Sequence, residues 1–337
     1  MIHTLELRRK SSEFNAFMKI KNNPSLCHKY PGITFEGKQI GNEPGKTQWK
    51  VNVKINLALT DEPGNYLRIY QGQRPEEILE NINQAFAELE LPPVQAWTLY
   101  QVHFTVDIRT EYVSEYLTIL SHGNHKKKPE HKRDGSLWMQ YSSRTVTINF
   151  YSKEAEQRGK YGEEAGDQAR GLLRLEVQCK DMKLESLFSK HELTRNLPSL
   201  LLANNGSHIF DMVNQTVQKE LLTIIGNDCD HIKKDLAISK VEVGRSTRHK
   251  KTHENLLDIL DLVNRKNGSI RTARDNWIRE SKGSARAFKD RLKTLYHLGI
   301  NPICLPSDSP LERLESLHQL YLDALAAEYK KANQEEA

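Results

Sequence analysis

Residues 46–59, KTQWKVNVKINLAL, alternate with a period of two. Trp49, Val51, Val53, Ile55 and Leu57 share one face, with Lys50, Asn52, Lys54 and Asn56 opposite. Alternation over that length is a strand with one buried and one wet face. Asp61-Glu62-Pro63-Gly64-Asn65 reads as a turn, and residues 66–71 as a returning strand that completes a hairpin.

The same reading extends along the first 190 residues. Residues 5–7 form a short strand candidate. Residues 74–89 carry Ile78, Ile82, Phe86 and Leu89 at helical spacing, with Pro75, Glu76 and Glu77 in the first turn and Leu91-Pro92-Pro93 as the stop. Residues 96–108 are β-rich and 111–121 helical. Residues 137–141 and 145–150 flank a turn at Ser142-Ser143. Residues 152–158 start a helix, 159–169 read as a charged, glycine-rich loop, 172–179 as a strand and 184–193 as a helix. Strands joined by hairpins and occasional helices predict an α+β fold with a mainly antiparallel central sheet and flanking helices. From residue 191 the pattern turns helical, with helices over 256–263, 272–281, 284–298 and 311–331. The division expected is a domain at 1–190 followed by a smaller all-α domain at 191–337.

Composition limits the partners. The 337 residues include 49 Lys and Arg against 44 Asp and Glu, a net charge of +5. The excess is gathered in two runs, HKKKPEHKR at 125–133 and RSTRHKK at 245–251, and separated basic patches suit a polyanion. Further arginines and lysines, Arg271, Arg274, Arg279, Arg286, Lys289 and Lys293 among them, lie on the short C-terminal helices, as in a helical DNA-reading module. The four cysteines form no CxxC pair, so a zinc ribbon is unsupported. No apolar run approaches a membrane span and MIHTLELRRK is too polar for a signal peptide, so a cytoplasmic protein with reduced thiols and no membrane partner is expected. There is no GxxxxGK[ST] or GxGxxG, which argues against a nucleotide-hydrolysing motor.

Three strand segments carry candidate chemistry. Alternation sets His103, Thr105 and Asp107 on one face, a pair of potential ligands for a divalent ion. It sets Arg174, Glu176 and Gln178 together on another strand, and a carboxylate there needs a partner if covered. Tyr151 ends a strand two residues before Lys153. A tyrosine hydroxyl can attack a phosphodiester if its proton is removed or its phenolate stabilised; Lys153 could stabilise the phenolate or the phosphate, and a metal ion would polarise the scissile phosphate.

In this order, LYQVHFTVDI, SSRTVTINFYSKEAEQ and GLLRLEVQCK resemble the replication initiators of filamentous phages, of the gene II/X type, and related rolling-circle plasmid proteins. The resemblance spans about residues 95–190 and extends faintly to AFKDRLKTLYHLGINP near 280–305. It implies a rolling-circle nickase-like sheet, a metal-dependent endonuclease and strand transferase, and a 5′-phosphotyrosyl intermediate that is later resealed. Tyr151 matches the phage-type nucleophile, Lys153 its neighbouring lysine and Glu176 the strand glutamate. His103 stands where the family usually has an aspartate, so either His103 binds the metal or Asp107 has taken over. Tyr141-Ser142-Ser143-Arg144 also resembles the plasmid-type Y-x-S-R segment, in which the earlier tyrosine attacks; Tyr151 is preferred. The implied cofactor is Mg²⁺ or Mn²⁺, and the implied partners are replicon origin DNA and a host replication helicase and polymerase. Lys126, Lys127, Lys128, Lys132, Arg133, Arg144, Arg174, Arg286 and Lys289 are the expected DNA contacts. The alternative is a non-catalytic, sequence-specific DNA-binding replication regulator.

Overall fold

The computed structural model describes residues 1–11, 30, 32–40, 48–61, 70, 74–124, 130–131, 138–203, 207–243, 250–266 and 268–334. The basic residues Lys126, Lys127, Lys128, Lys132 and Arg133, and most of the run at 245–251, lie outside the described residues.

The protein is α+β. An antiparallel sheet is built from β1 (Ile2–Ser11), β2 (Ile33–Ile40), β3 (Gln48–Ile55), β4 (Thr98–Arg109), β5 (Glu130–His131), β6 (Trp138–Ser142), β7 (Val146–Ser152) and β8 (Leu172–Lys180), in the order β2-β3-β1-β4-β8-β7-β6-β5. The expected β6–β7 hairpin forms, closed by Ser143, whose backbone N–H and hydroxyl both donate to the Val146 carbonyl. The hairpin expected between β3 and residues 66–71 finds no open edge on β3, and of those residues only Tyr70 is among the described ones. Both edges of β3 are taken, by β1 and β2, and Tyr70 instead bridges Ile2. The chain leaves β3 through α1 (Leu57–Asp61), where the Asn56 side chain accepts from the Leu59 N–H. That local bond starts a helical turn directly after β3.

Alternation sorts the sheet into two faces. Val102, Phe104, Val106 and Ile108 of β4, with Leu173, Leu175, Val177 and Cys179 of β8, are buried on one. Helices cover it. α2 (Pro75–Glu88) buries Ile78, Ile82 and Phe86, and the Phe86 ring meets Phe35 of β2 at 6.0 Å and Trp97 at 5.2 Å. α3 (Val113–Ser121) contacts β7, as does α4 (Lys153–Tyr161), which also contacts β8 and starts at the Ser152 cap. Residues 159–169 are not all loop, because α5 (Glu163–Gln168) forms there. Gly166 lets it close on α4, since a Cβ at that position would fall 2.8 Å from Arg158 Cβ. At Gly171, φ is +72° and a Cβ would lie 2.9 Å from the Thr110 carbonyl, so glycine permits the tight entry to β8.

Helices dominate the remainder: α6 (Met182–Lys190), α7 (Leu197–Leu202), α8 (Ser207–Val213), a π turn over 214–218, α9 (Lys219–Ile225), α10 (Lys234–Val243), α11 (Lys250–Asn264), α12 (Ile270–Arg279), α13 (Ala285–His297) and α14 (Leu317–Gln334). One small antiparallel ribbon, β9 (His231–Ile232) with β10 (Arg313–Leu314), departs from the all-α expectation and delays α14 by six residues relative to its expected start at 311. α6, α8, the π turn and α14 reach β4, and a single buried apolar cluster runs from Met1 to Tyr321. Among the described residues no helix is long and apolar enough to cross a membrane.

Candidate metal centre and adjoining tyrosine

Backbone pairing lays the polar residues out in rows. One row is Ser142, Thr147, Gln178 and His103; the next is Gln140, Asn149, Glu176 and Thr105; the third is Trp138, Tyr151, Arg174 and Asp107. Residues two apart on a strand share a face, so the three rows belong to one largely polar face. Tyr141 lies in a row of the other parity, with Ile148, Val177 and Phe104.

The third member of the cluster that could hold an ion was not legible in the sequence: it is His3. β1 pairs Ile2 with Phe104 and Leu5 with Val102, so His3 and Thr4 together oppose the single residue His103. That β-bulge re-aims a side chain, and the His3 ring turns to Glu176. His3 Nδ1 is 3.4 Å and His103 Nδ1 3.5 Å from Glu176 Oε2. Ligand atoms of His3, His103 and Glu176 all lie within 4.8 Å of one another. Gln101 Nε2 sits 2.7 Å from His103 Nε2, which leaves Nδ1 toward the carboxylate.

The other carboxylate oxygen is already held. Asn149 Nδ2 and Gln178 Nε2 donate to Glu176 Oε1 at 2.7 and 2.8 Å. Burial alone would raise the Glu176 carboxyl, but the His103 charge and hydrogen bonds from His103 and His3 outweigh it and hold the pKa well below its ordinary value. His3 is pushed down to about 4, chiefly by burial and against the pull of Glu176. At neutral pH the cluster therefore offers an ionised carboxylate and a neutral imidazole, the forms that bind cations. Two nitrogens and one oxygen with Oε2 in common fit a divalent ion, and suit Mn²⁺ or a later first-row ion better than Mg²⁺.

Asp107 is not part of this cluster. Arg174 Nε and Nη2 bind its two oxygens, each at 2.6 Å, and strand pairing sets the two residues directly opposite. Their pairing corrects two expectations. Asp107 spends its oxygens on a guanidinium instead of a metal, and Arg174, 0% exposed, cannot reach a DNA phosphate.

Tyr151 is beside the cluster but closed in, at 2% exposure. Burial, then the Glu176 charge, raises its pKa well above 10, with Arg174 opposing. Lys153, also buried, bonds Glu156 at 2.5 Å, and Lys160 binds the other Glu156 oxygen. Burial and the Arg174 charge bring Lys153 down to about 8. Arg144 in the β6–β7 turn and Arg286 and Lys289 on α13 are exposed and well apart in sequence from the cluster. The structure thus brings His103, Glu176 and Tyr151 to one part of the sheet, with Lys153 the first residue of α4 directly after β7. His3, Asn149 and Gln101 were missed; only the bulge and the cross-strand rows expose their part.

No protein-family model matches the chain, and no curated protein or solved structure does either.

Proposed function

We propose that the protein is a metal-dependent DNA-nicking endonuclease and strand transferase that initiates rolling-circle replication. What supports this most is the convergence of His3, His103 and Glu176 on one sheet face, one row away from Tyr151. His3 and His103 would hold the ion through imidazole nitrogens and Glu176 through Oε2. The bound ion would polarise the scissile phosphate and offset transition-state charge. Tyr151 is the preferred nucleophile because it shares the parity of the Glu176 row, whereas Tyr141 does not. Attack by Tyr151 Oη on phosphorus releases a 3′ hydroxyl to prime a polymerase and leaves the 5′ phosphate on the tyrosine. Reversal of that exchange reseals the strand without a nucleotide cofactor. Lys153 lies two residues on, where its ammonium can stabilise developing negative charge.

The reading requires the Tyr151 ring to open to DNA, and the adduct tests this directly. A supercoiled plasmid carrying the DNA that flanks this coding sequence is incubated with the protein and Mn²⁺. Nicked circles with protein on the 5′ end are expected, and Tyr151→Phe should abolish both the nick and the adduct while DNA binding persists. If Tyr151→Phe keeps the adduct and Tyr141→Phe loses it, the nucleophile is Tyr141. The burial of Tyr151 favours one second reading, a non-catalytic DNA-binding replication regulator in which the cluster only braces the sheet. Sequence-selective binding in EDTA, with no nick at any Mn²⁺ concentration, would establish it instead.

A further inference from the structure

On the outer wing of the sheet, away from the histidine cluster, the polar face of β2, β3 and β1 is basic. Pairing sets Lys10, Lys50 and Lys38 at one register position across three neighbouring strands. The next row is Arg8, Asn52 and Glu36, and the one after it Glu6, Lys54 and Thr34. Across the three rows five basic residues stand against two acids, Glu6 and Glu36.

An aromatic ring lies in the same place. The ladder passes from Glu6–Gln101 to Leu7–Leu99 and skips Tyr100. The Arg8 guanidinium lies 2.9 Å above the Tyr100 ring centroid, and the Lys50 ammonium lies 5.5 Å from it. Arg8 is oriented by Asn52, its Nε donating to Oδ1 at 3.1 Å, and by Glu6, its Nη2 donating to Oε1 at 3.1 Å. The Arg8 side chain keeps 23% of its surface exposed beside the ring, and bases stack on guanidinium planes as they do on aromatic rings. The apolar side of this wing is the one under α2, where Phe35 meets Phe86.

We infer that the polar face of β2, β3 and β1 is a docking surface for single-stranded nucleic acid, with Lys50 and Lys54 holding phosphates and the Arg8–Tyr100 stack receiving a base. Charge complementarity and the stack select the occupant: a polyanion with planar groups. β1 runs through both places, and His3 to Lys10 spans about 23 Å at roughly 3.3 Å per residue. A strand lying on the wing therefore leads toward the histidine cluster. This last point rests on the nicking reading; the binding itself does not.

Anisotropy of a fluorescein-labelled oligothymidine, titrated with the full chain in EDTA over a salt series, tests the surface without any cleavage. Lys50→Ala with Lys54→Ala should flatten the salt slope by about 1.4, at roughly 0.7 for each phosphate that a lysine neutralises on a single strand. Arg8→Ala should weaken binding about tenfold or more. Glu36→Gln, which removes the acid 2.8 Å from Lys54, should tighten binding several-fold, so the assignment is tested in both directions even if an alanine variant folds poorly. Unchanged affinity and slope in folded Lys50→Ala/Lys54→Ala, or no tightening in Glu36→Gln, would overturn it. Normal oligonucleotide binding in a protein that never nicks would remove the nicking reading and leave this surface standing.

Discussion

Glu176 is a carboxylate with its two oxygens assigned to different tasks. Asn149 and Gln178 take Oε1, and the two histidines face Oε2. The amides fix the carboxylate plane, as residues that orient metal ligands do. Asn149 is 1% exposed and its hydrogen bond to Glu176 is internal, so Asn149→Ala removes a donor that water cannot easily replace. Asn149→Ala should weaken Mn²⁺ binding about 10- to 100-fold, a cost common when a ligand's support is lost. Titration of Mn²⁺ followed by electron paramagnetic resonance reads this without enzymatic activity. Equal affinity in wild type and Asn149→Ala would show that the amide merely fills space.

At the scale of elements, the β4–β8 pairing carries a buried charge. Arg174 has no solvent exposure and depends on Asp107, whose carboxylate raises the already high guanidinium pKa against burial. Removing one partner of such a pair strands the other. Asp107→Ala, which leaves the guanidinium buried without its carboxylate, should destabilise the protein by about 3–5 kcal/mol. Replacing both, as Asp107→Leu with Arg174→Met, should restore much of that loss because no charge is then left alone. Urea unfolding of the three proteins decides it; an Asp107→Ala protein as stable as wild type would mean that Arg174 finds another anion. The same pairing explains why the tyrosine row lies where it does, since Tyr151 is directly opposite Arg174 on β7.

For the whole molecule, the helical part is tied to α3 and the residues just after it by long-range contacts. The Tyr116 hydroxyl donates to the Glu315 carbonyl at 3.0 Å, the Ile270 N–H to the His122 carbonyl at 2.9 Å and the Asn124 N–H to the Ile224 carbonyl at 2.7 Å. The β9–β10 ribbon sits among these connections, and His231 within it is 0% exposed with Nδ1 2.8 Å from the Ile303 carbonyl. Burial pushes His231 down to about 4. An unfolded histidine titrates near 6.5, so below that pH the unfolded chain binds the extra proton and the folded one does not. Stability is therefore full above about pH 6.5 and falls as the pH drops toward 4. By pH 4.5 the loss from His231 alone should be about 2–3 kcal/mol. His231→Phe should flatten this limb in urea unfolding at pH 7 and 4.5. An unaltered slope would place the acid sensitivity elsewhere, with His3 the next group to examine.

Period-two alternation was enough to announce β3, β4, β7 and β8, and it set His103, Asp107 and Glu176 on the polar side of their strands. Helical spacing and first-turn chemistry announced α2, and the helix expected over 284–298 matches α13, which the structure shows capped by Ser284. These signals are local: each depends on residues within a few positions of one another. Partners were not local. The hairpin expected after β3 found no open edge because β1 and β2, distant in sequence, occupied both. Asp107 read as a ligand until the strand opposite supplied Arg174 at the same register position. His3 had no role in the sequence reading, because a bulge has no signature in composition and exists only when a second strand fixes the count of residues across from it. The sequence by itself determined which residues share a face of each strand; which faces meet, and therefore which carboxylate faces histidines and which faces an arginine, was decided by strand order and register, contacts between segments that only the folded sheet brings together.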